Sequence, residues 1–450
     1  MRAATILERP WRAPETVLSA FADDPWTCAF LSGGGSERAR WSYVLRDPDA
    51  TLTLRADDPT DPFAAMTTLL GPRRPSHPDG PPFQGGLAGL AAYELGDRIE
   101  PLNLARQAAW PDLSVGRFSR LLAFDHQTCR VLAIGVDAAD AAAAAEWLDA
   151  PVRPVSRAAL ATEAEETTPA RTYEAAVADV IARIHDGEYF QANIARRWAG
   201  RLTPGATPFD LLARLVEQSA APFAGYLRLP GLAVVSNSPE RFVSVGAGAG
   251  AGAGDELTVE TRPIKGTRPR GASPAEDAAL AAELLASDKD RAENLMIVDL
   301  MRNDLSRVCT PGAVTTPELF RVESFVNVHH LVSTVRGRLA PGLTAIDLLE
   351  AAFPPGSVTG APKVQAMKSI ARLEPPRGPY CGALLWAGFD GAFDSSVLIR
   401  TVALVEDADG WRYEARAGAG IVADSDPRAE RLETETKIAA LLRALKEPRP

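Results

Sequence analysis

Thr261-Arg262-Pro263-Ile264-Lys265-Gly266-Thr267-Arg268-Pro269-Arg270-Gly271 sets one lysine between isoleucine and glycine, with Arg262, Arg268 and Arg270 close on either side. An ordinary lysine, with a pKa near 10.4, leaves only about four molecules in ten thousand neutral at pH 7. A nucleophilic one therefore needs burial or neighbouring cations. Ile264 offers the first and the arginines the second. The same guanidinium forks also suit the carboxylates of a small polyanion. The plain alternative is a basic surface loop broken by proline and glycine, and the rest of the chain must decide.

The basic cluster is local. The chain has 450 residues, a formal net charge of -10 and a pI near 5.2. That balance argues against nucleic acid as the main partner, because such binding rests on neutralising phosphates. The length predicts two or three domains or one large α/β unit. Cys28, Cys129, Cys309 and Cys381 are scattered without a CxxC pair, which predicts a reducing cytosolic setting and no disulfides. Met1 to Trp11 lacks the apolar run of a secretory signal, and no stretch reaches the roughly 20 apolar residues of a membrane span. The expectation is a cytoplasmic protein with no membrane partner.

Residues 1–155 read as a β-rich first region. Cys28 to Leu31 runs into Ser32-Gly33-Gly34-Gly35, Arg40 to Leu45 alternates like a strand, and Phe83 to Leu90 is a glycine-rich strand. Ala138 to Ala145 predicts a surface helix. Pro151 to Ala170, polar and acidic, reads as a linker to a second region over 171–450. There a helix from Thr172 stops at Gly187. Phe190 to Ala195 reads as a strand with one polar and one apolar face, and Gly231 to Val245 is strand-like around Glu240. The alternating Gly and Ala of Gly246 to Gly254 predicts a hairpin loop without chemistry. Pro274 to Leu305 is helical with a break near Ser287. Phe325 to Val335 holds a strand, Ala345 to Ala352 a helix, and Ser357 to Lys363 a turn opening another. Strands follow over Gly382 to Phe389, Ser395 to Val405 and Trp411 to Ala417. The last helix is capped by Asp426 with Pro427 first, and its apolar face is Leu432, Ile438, Leu441, Leu442 and Leu445.

Two of these helices carry acids three apart: Asp290 and Glu293, Glu430 and Glu433. That spacing puts each pair on one face. Four carboxylates brought together call for a cation, and an all-oxygen set suits Mg²⁺. Solvated helix faces, or a Glu433–Lys437 ion pair, are the plain alternatives. Glu240, between Pro239 and an apolar strand, fits a desolvated general acid or a strand-end ion pair with Arg241. His330, beside Leu331-Val332, reads as a core histidine, and Gly418-Ala419-Gly420 offers backbone amides to an anion.

In order along the chain, several motifs together resemble the chorismate-utilising enzymes. They are Phe190-Gln191-Ala192-Asn193, Ser238-Pro239-Glu240-Arg241-Phe242, the Lys265 stretch, Arg291 to Leu300, His330-Leu331-Val332-Ser333, Thr359-Gly360-Ala361-Pro362-Lys363 and Ala417 to Pro427. The resemblance runs from about Thr172 to Leu445, with weaker similarity before it. It implies an α+β fold of large antiparallel sheets packed as a sandwich with helices outside.

Lys265 resembles the branch that aminates chorismate at C4, whereas anthranilate-forming members typically have alanine there. The resemblance implies that Lys265 attacks C2 while Glu240 protonates the departing C4 hydroxyl, and that ammonia then enters at C4 and expels the lysine. Members forming isochorismate or salicylate place a lysine base where this chain has Gln191, so water attack is disfavoured. By the same matching Glu293 and Glu433 would ligate Mg²⁺ directly, and Asp290 and Glu430 through water. Tyr380, Arg400, Gly418, Ala419, Gly420 and Lys437 would meet the substrate carboxylates. Gly266, Thr267, Thr359 and His330 would line the pocket, His330 among its catalytic groups.

The first region resembles the part of the family that holds tryptophan, with Ser32 and Arg40-Trp41-Ser42 in the corresponding place; the match there is loose. No segment resembles a glutamine amidotransferase, which implies a separate glutaminase subunit supplying ammonia. A separate lyase would carry the product to 4-aminobenzoate and folate. The rival readings are amination at C2, giving anthranilate or an aminodeoxy-isochorismate, and a non-catalytic sensor of chorismate or tryptophan.

Overall fold

The computed structural model describes residues 3–33, 39–219, 221–247, 257–325 and 328–449. Among them the strands form two antiparallel sheets, of 12 and 10 strands. The layers follow from side-chain alternation along the strands. Ala88, Leu90, Leu384, Trp386, Leu227 and Val234 project into one buried cluster between the sheets. Their neighbours project the other way. Leu87, Ala91, Leu385 and Ala387 meet the helices Pro62–Leu70, Asp288–Ser306 and Ala345–Ala352. Tyr226, Ala233 and Val235 meet Pro208–Ser219 and Pro427–Lys446. The result is the expected α+β sandwich of antiparallel sheets with helices outside, held by apolar layers in which each fully buried side chain contributes about 1.5–3 kcal/mol. At the centre of the inter-sheet layer Phe83 stacks on Trp386 with ring centroids 4.8 Å apart.

The two regions read from the sequence share both sheets. Cys28–Leu31 pairs with Phe223–Leu229 in the larger sheet, and Gly86–Ala91 pairs with Ala383–Gly388 in the smaller. The linker is anchored too: Leu160 and Ala161 are buried, and their amides bond the carbonyl of Leu445.

Most elements lie where periodicity places them, and the exceptions have physical causes. The alanine-rich helix, Ala138–Glu146, is not purely a surface element, because Ala141, Ala144 and Ala145 pack inward. The strand expected over Ser395 to Val405 is two, Phe393–Val397 and Thr401–Asp407, parted where Arg400 takes a positive φ of 51°. Its neighbour breaks likewise into Leu232–Ser238 and Arg241–Ala247, at Pro239-Glu240. In both, one half pairs in the larger sheet and the other in the smaller. Two adjacent strands thus cross side by side between sheets.

The strand Gln191–Arg201 is buried on both faces over its first six residues, so its polar side looks into protein rather than water. Leu432 is 46% exposed and does not belong to the buried face of the last helix, which Ile438, Leu441 and Leu445 do form. The Gly/Ala loop falls, from 248 to 256, outside the described residues, as do 34–38 after Ser32 and 326–327 before the His330 strand. No helix among the described residues is long and apolar enough to cross a membrane. All four cysteines are unpaired.

Candidate active site

The crossovers create the site. The ladder between Thr401–Asp407 and Gly410–Ile421 ends at Val402 opposite Ala415, because the first strand turns away at Arg400. Beyond that point Ala417 to Ile421 stays paired only with the Gln191 strand, Gly420 opposite Asn193 and Gly418 opposite Ala195. Its other edge is left open. A Cβ on Gly420 would lie 2.9 Å from Gln191 Nε2 and 3.1 Å from Lys265 Nζ, and one on Gly418 2.8 Å from Asn193 Oδ1 and 3.0 Å from the Tyr380 hydroxyl. Only glycine fits at either position, because the side chains of Gln191, Lys265, Asn193 and Tyr380 converge there. Ala419 points the opposite way and packs in an apolar cluster with Ile194 and Ile421, so it can offer only backbone.

Lys265 is aimed by a β-bulge. Its strand, Ile264–Pro269, pairs with Val328–Arg338, Ile264 opposite Val332 but Thr267 opposite His330, which leaves an extra residue at Lys265-Gly266. Bulges re-aim a side chain and sharpen local twist. Gly266 has φ +83°, and a Cβ there would lie 2.9 Å from Asp290 Cγ. That close approach brings the helix Asp288–Ser306, with Glu293, against the lysine strand. The flanking arginines do not serve the lysine. Arg262 pairs with Glu323 at 2.5 Å, Arg268 with Glu283 at 2.8 Å and Asp290 at 3.2 Å, and Arg270 with Asp277 at 2.7 Å. They fasten the strand to its surroundings, and the expectation that they tune the lysine or hold the substrate is corrected accordingly.

Glu240 occupies the first crossover and is 6% exposed. Burial pushes its carboxyl up to about 7, opposed by a 2.6 Å hydrogen bond from Ser357 Oγ and by Lys265 and Lys437. It is therefore about half protonated at pH 7 and increasingly so below it. Its partner is Ser357 rather than Arg241, which pairs with Asp394. Gln191 is fully buried, yet neither its Nε2 nor its Oε1 finds a hydrogen-bond partner among the described residues. An unpaired buried amide costs about 1–3 kcal/mol, and here it borders Lys265 and Gly420.

Lys437 completes the opposite wall. It donates to the Gly418 carbonyl at 2.9 Å and pairs with Glu433 at 2.5 Å, while Arg400 Nη1 donates to the Lys437 carbonyl at 2.8 Å. Burial pulls the Arg400 pKa down, opposed by Tyr380 and Glu433. His330 contacts Thr267 Oγ1 through Nδ1 at 3.0 Å, and burial followed by Arg400 lowers it to about 4, so it is neutral at pH 7. Thr359 is fully buried behind the Gln191 strand, its hydroxyl donating to Pro355 and its carbonyl accepting from Asn193.

The acids on the two helices sense one another. Burial raises Glu293, helped by Asp290 and Glu433 and opposed by Lys265 and Lys289. Burial raises Glu430 too, against a 2.7 Å bond from Ser425. Glu433 lies below the usual carboxylate range because Lys437, Lys265 and Lys289 outweigh its burial. Among the described residues no group of three or more His, Cys, Asp or Glu is gathered as a metal site. In kind, the all-carboxylate donor set fits a hard divalent cation.

Ser32 is elsewhere. Its amide donates to Ser42 Oγ at 2.9 Å, at the edge of a cavity of about 120 Å³ lined by Phe30, Trp41, Tyr43, Phe223 and Trp386. Sequence reading missed Ser357, Asn193 and Lys289 as neighbours of the site. Asn193 lies within a quoted motif and Ser357 opens the turn before another, but their contacts join residues far apart in the chain.

A family model described as chorismate binding enzyme matches residues 27–443. The chain is 40% identical, over an alignment of 462 residues covering 98% of each, to aminodeoxychorismate synthase component 1 of Salmonella typhimurium. It is also 40% identical to anthranilate synthase component 1 of Streptomyces coelicolor, over 92% of this chain and 82% of that one. The crystal structure of anthranilate synthase component I from Streptococcus pneumoniae TIGR4 matches with a TM-score of 0.78 at 28% identity, over 90% of this chain and 93% of that chain. Motif order, fold and these likenesses agree: the chain belongs to the chorismate binding enzyme family.

Proposed function

We propose that the chain is the large component of an aminodeoxychorismate synthase, converting chorismate and ammonia to 4-amino-4-deoxychorismate. Equal identity to relatives named for two different aminations leaves the choice to the site, and the observation that carries it is Lys265 Nζ standing beside Gln191 and Gly420. The lysine, as a neutral amine, bonds to C2, the two ring double bonds shift, and the C4–O bond breaks. Glu240, protonated near neutrality, gives its proton to the departing hydroxyl, which leaves as water. The proton released by the lysine nitrogen restores Glu240. Ammonia then bonds to C4, the double bonds shift back, and the lysine leaves C2 as a neutral amine, taking up the proton that the new C4 ammonium releases. Covalent catalysis thus divides one awkward displacement into two feasible ones. Gln191, having no basic group, supports ammonia over water as the second nucleophile.

Lys437, Arg400 and the open edge at Gly418 and Gly420 would hold the substrate carboxylates. Mg²⁺, when bound, would neutralise a ring carboxylate. Glu293 and Glu433 would hold it, Glu433 releasing Lys437, with Asp290 and Glu430 behind them. The relatives' designation as component 1 supports a second component, which in this reading is a glutaminase delivering ammonia, and the product would feed 4-aminobenzoate and folate synthesis.

Intact-protein mass spectrometry after mixing the chain with chorismate and Mg²⁺ without ammonia tests the lysine step. The expected result is a mass increase of chorismate minus water in the wild type and none in Lys265→Ala. Absence of the adduct, with anthranilate or an aminodeoxy-isochorismate formed once ammonia is added, would replace this reading with C2 amination.

A further inference from the structure

The segment Glu374 to Tyr380 carries a buried charge network that the reaction scheme leaves unused. The Arg377 side chain is 1% exposed. Its guanidinium donates to the Val358 carbonyl at 2.9 Å and the Asn193 carbonyl at 2.7 Å, and to both oxygens of Glu374 at 3.0 and 3.2 Å. It also lies 4.7 Å from the centre of the Tyr93 ring and 5.7 Å from that of Tyr380. Glu374 in turn accepts from the Ala195 amide at 2.7 Å. From the first region Glu94 accepts from the amides of Arg377 at 2.6 Å and Gly378 at 2.9 Å.

Stability alone does not account for such a network. Replacing a buried ion pair by well-packed apolar side chains is often neutral or stabilising. What this one does is geometric. Val358 precedes Thr359, Asn193 flanks Gly418 beside the Tyr380 hydroxyl, and Ala195 is the strand partner of Gly418. One planar fork therefore ties the Val358 turn to the Gln191–Arg201 strand, whose Gln191 and Asn193 border Gly420 and Gly418, and Glu374 holds the fork to that strand through Ala195. A lysine cannot reproduce this, because its donors radiate from a single nitrogen.

We propose that Arg377, oriented by Glu374, is a positioning residue that sets the spacing of the chorismate-binding wall; this rests on the function proposed above. Its hydrogen bonds go to Val358, Asn193 and Glu374, not to Lys265 or Glu240. Loosening it weakens ground-state binding and leaves the chemical step nearly intact.

The test compares wild type, Arg377→Lys and Glu374→Gln by equilibrium binding of chorismate to the full chain at 25 °C without ammonia, by steady-state kinetics with ammonia and Mg²⁺, and by thermal midpoint. For Arg377→Lys the expected result is Kd and KM raised about tenfold with kcat lowered less than about threefold, the signature of lost uniform binding. Glu374→Gln, which keeps the acceptor for Ala195, should show the same split more weakly, and it decides the matter if Arg377→Lys does not fold. Folded variants that bind chorismate as tightly as wild type, whatever their thermal midpoints, overturn the proposal and leave Arg377 a merely structural residue. A wild type that binds no chorismate sinks the function reading and this proposal together. One that binds while the variants match it sinks this proposal alone.

Discussion

Glu240 keeps its proton because the crossover buries it, and its rise to about 7 sets a specific pH signature. Above that value the acid share falls tenfold per pH unit, while the share of an attacking amine in its neutral form grows with pH. The rate of adduct formation in the wild type should therefore rise up to about pH 7 and bend to a plateau above it. Lys265 and Lys437 favour the ionised form of Glu240 against its burial, so the midpoint of the bend is an apparent value. Glu240→Gln keeps the shape and the contact with Ser357 but has no proton to give. Adduct formation should slow by about 10²–10⁴-fold and lose the bend, with chorismate still bound. Stopped mass-spectrometric sampling from pH 6 to 9 checks this, and an unchanged bend in the variant would remove Glu240 from the acid role.

The bulge that aims Lys265 depends on Gly266, since φ of +83° suits glycine and the Asp290 side chain leaves no room for a Cβ. Gly266→Ala should destabilise the fold by about 1–3 kcal/mol through backbone strain and contact with the acid-bearing helix. It should also slow adduct formation more than it alters chorismate affinity, because the strand is displaced from Gly420. Urea unfolding and the adduct assay read the two effects separately. None of this was visible along the chain. Periodicity and capping residues gave the elements themselves, down to the helix break at Ser287 and the Asp426 cap, because those are local preferences. The two crossovers read along the chain as continuous strands, since strand-like residues stand on both sides of Pro239-Glu240 and of Ile399-Arg400 and a change of partner strand leaves no local signal. The arginines around Lys265 read along the chain as tuning groups, as forks for a carboxylate or as a basic surface loop. Their acceptors, Glu323, Glu283 and Asp277, come from other segments that sequence order does not bring near. Motif order supplied the family and its candidate residues, and the contact of Glu240 with Ser357 needed the fold.

Because strands of both regions interleave in both sheets, the chain should unfold as one cooperative unit, and every shifted proton counts toward one transition. Glu94 and Glu240 together outweigh His330, which burial lowers to about 4 and which on its own gains stability as pH rises toward 6.5. Burial raises each carboxyl from 4.5 to about 7. Between those values the unfolded chain has lost both protons and the folded chain keeps them, so the folded state binds more protons and stability falls as pH rises through the window. At 1.36 kcal/mol per pKa unit each group contributes on the order of a few kcal/mol over the full interval. The opposite sign holds for Asp125, Asp277 and Asp407, which arginines and backbone amides hold below the usual carboxylate range and whose stabilisation is lost only in stronger acid. A net charge of -10 adds self-repulsion as pH rises. The thermal midpoint should therefore be highest near pH 4.5 and decline toward 7. Glu94→Gln tests the assignment without touching Lys265 or Glu240. It removes one titrating proton, so the decline from pH 5 to 7 should become shallower, with the variant gaining on wild type as pH rises. A slope identical to that of wild type would mean that Glu94 is already ionised in the folded chain, its two backbone donors and Arg416 having outweighed burial.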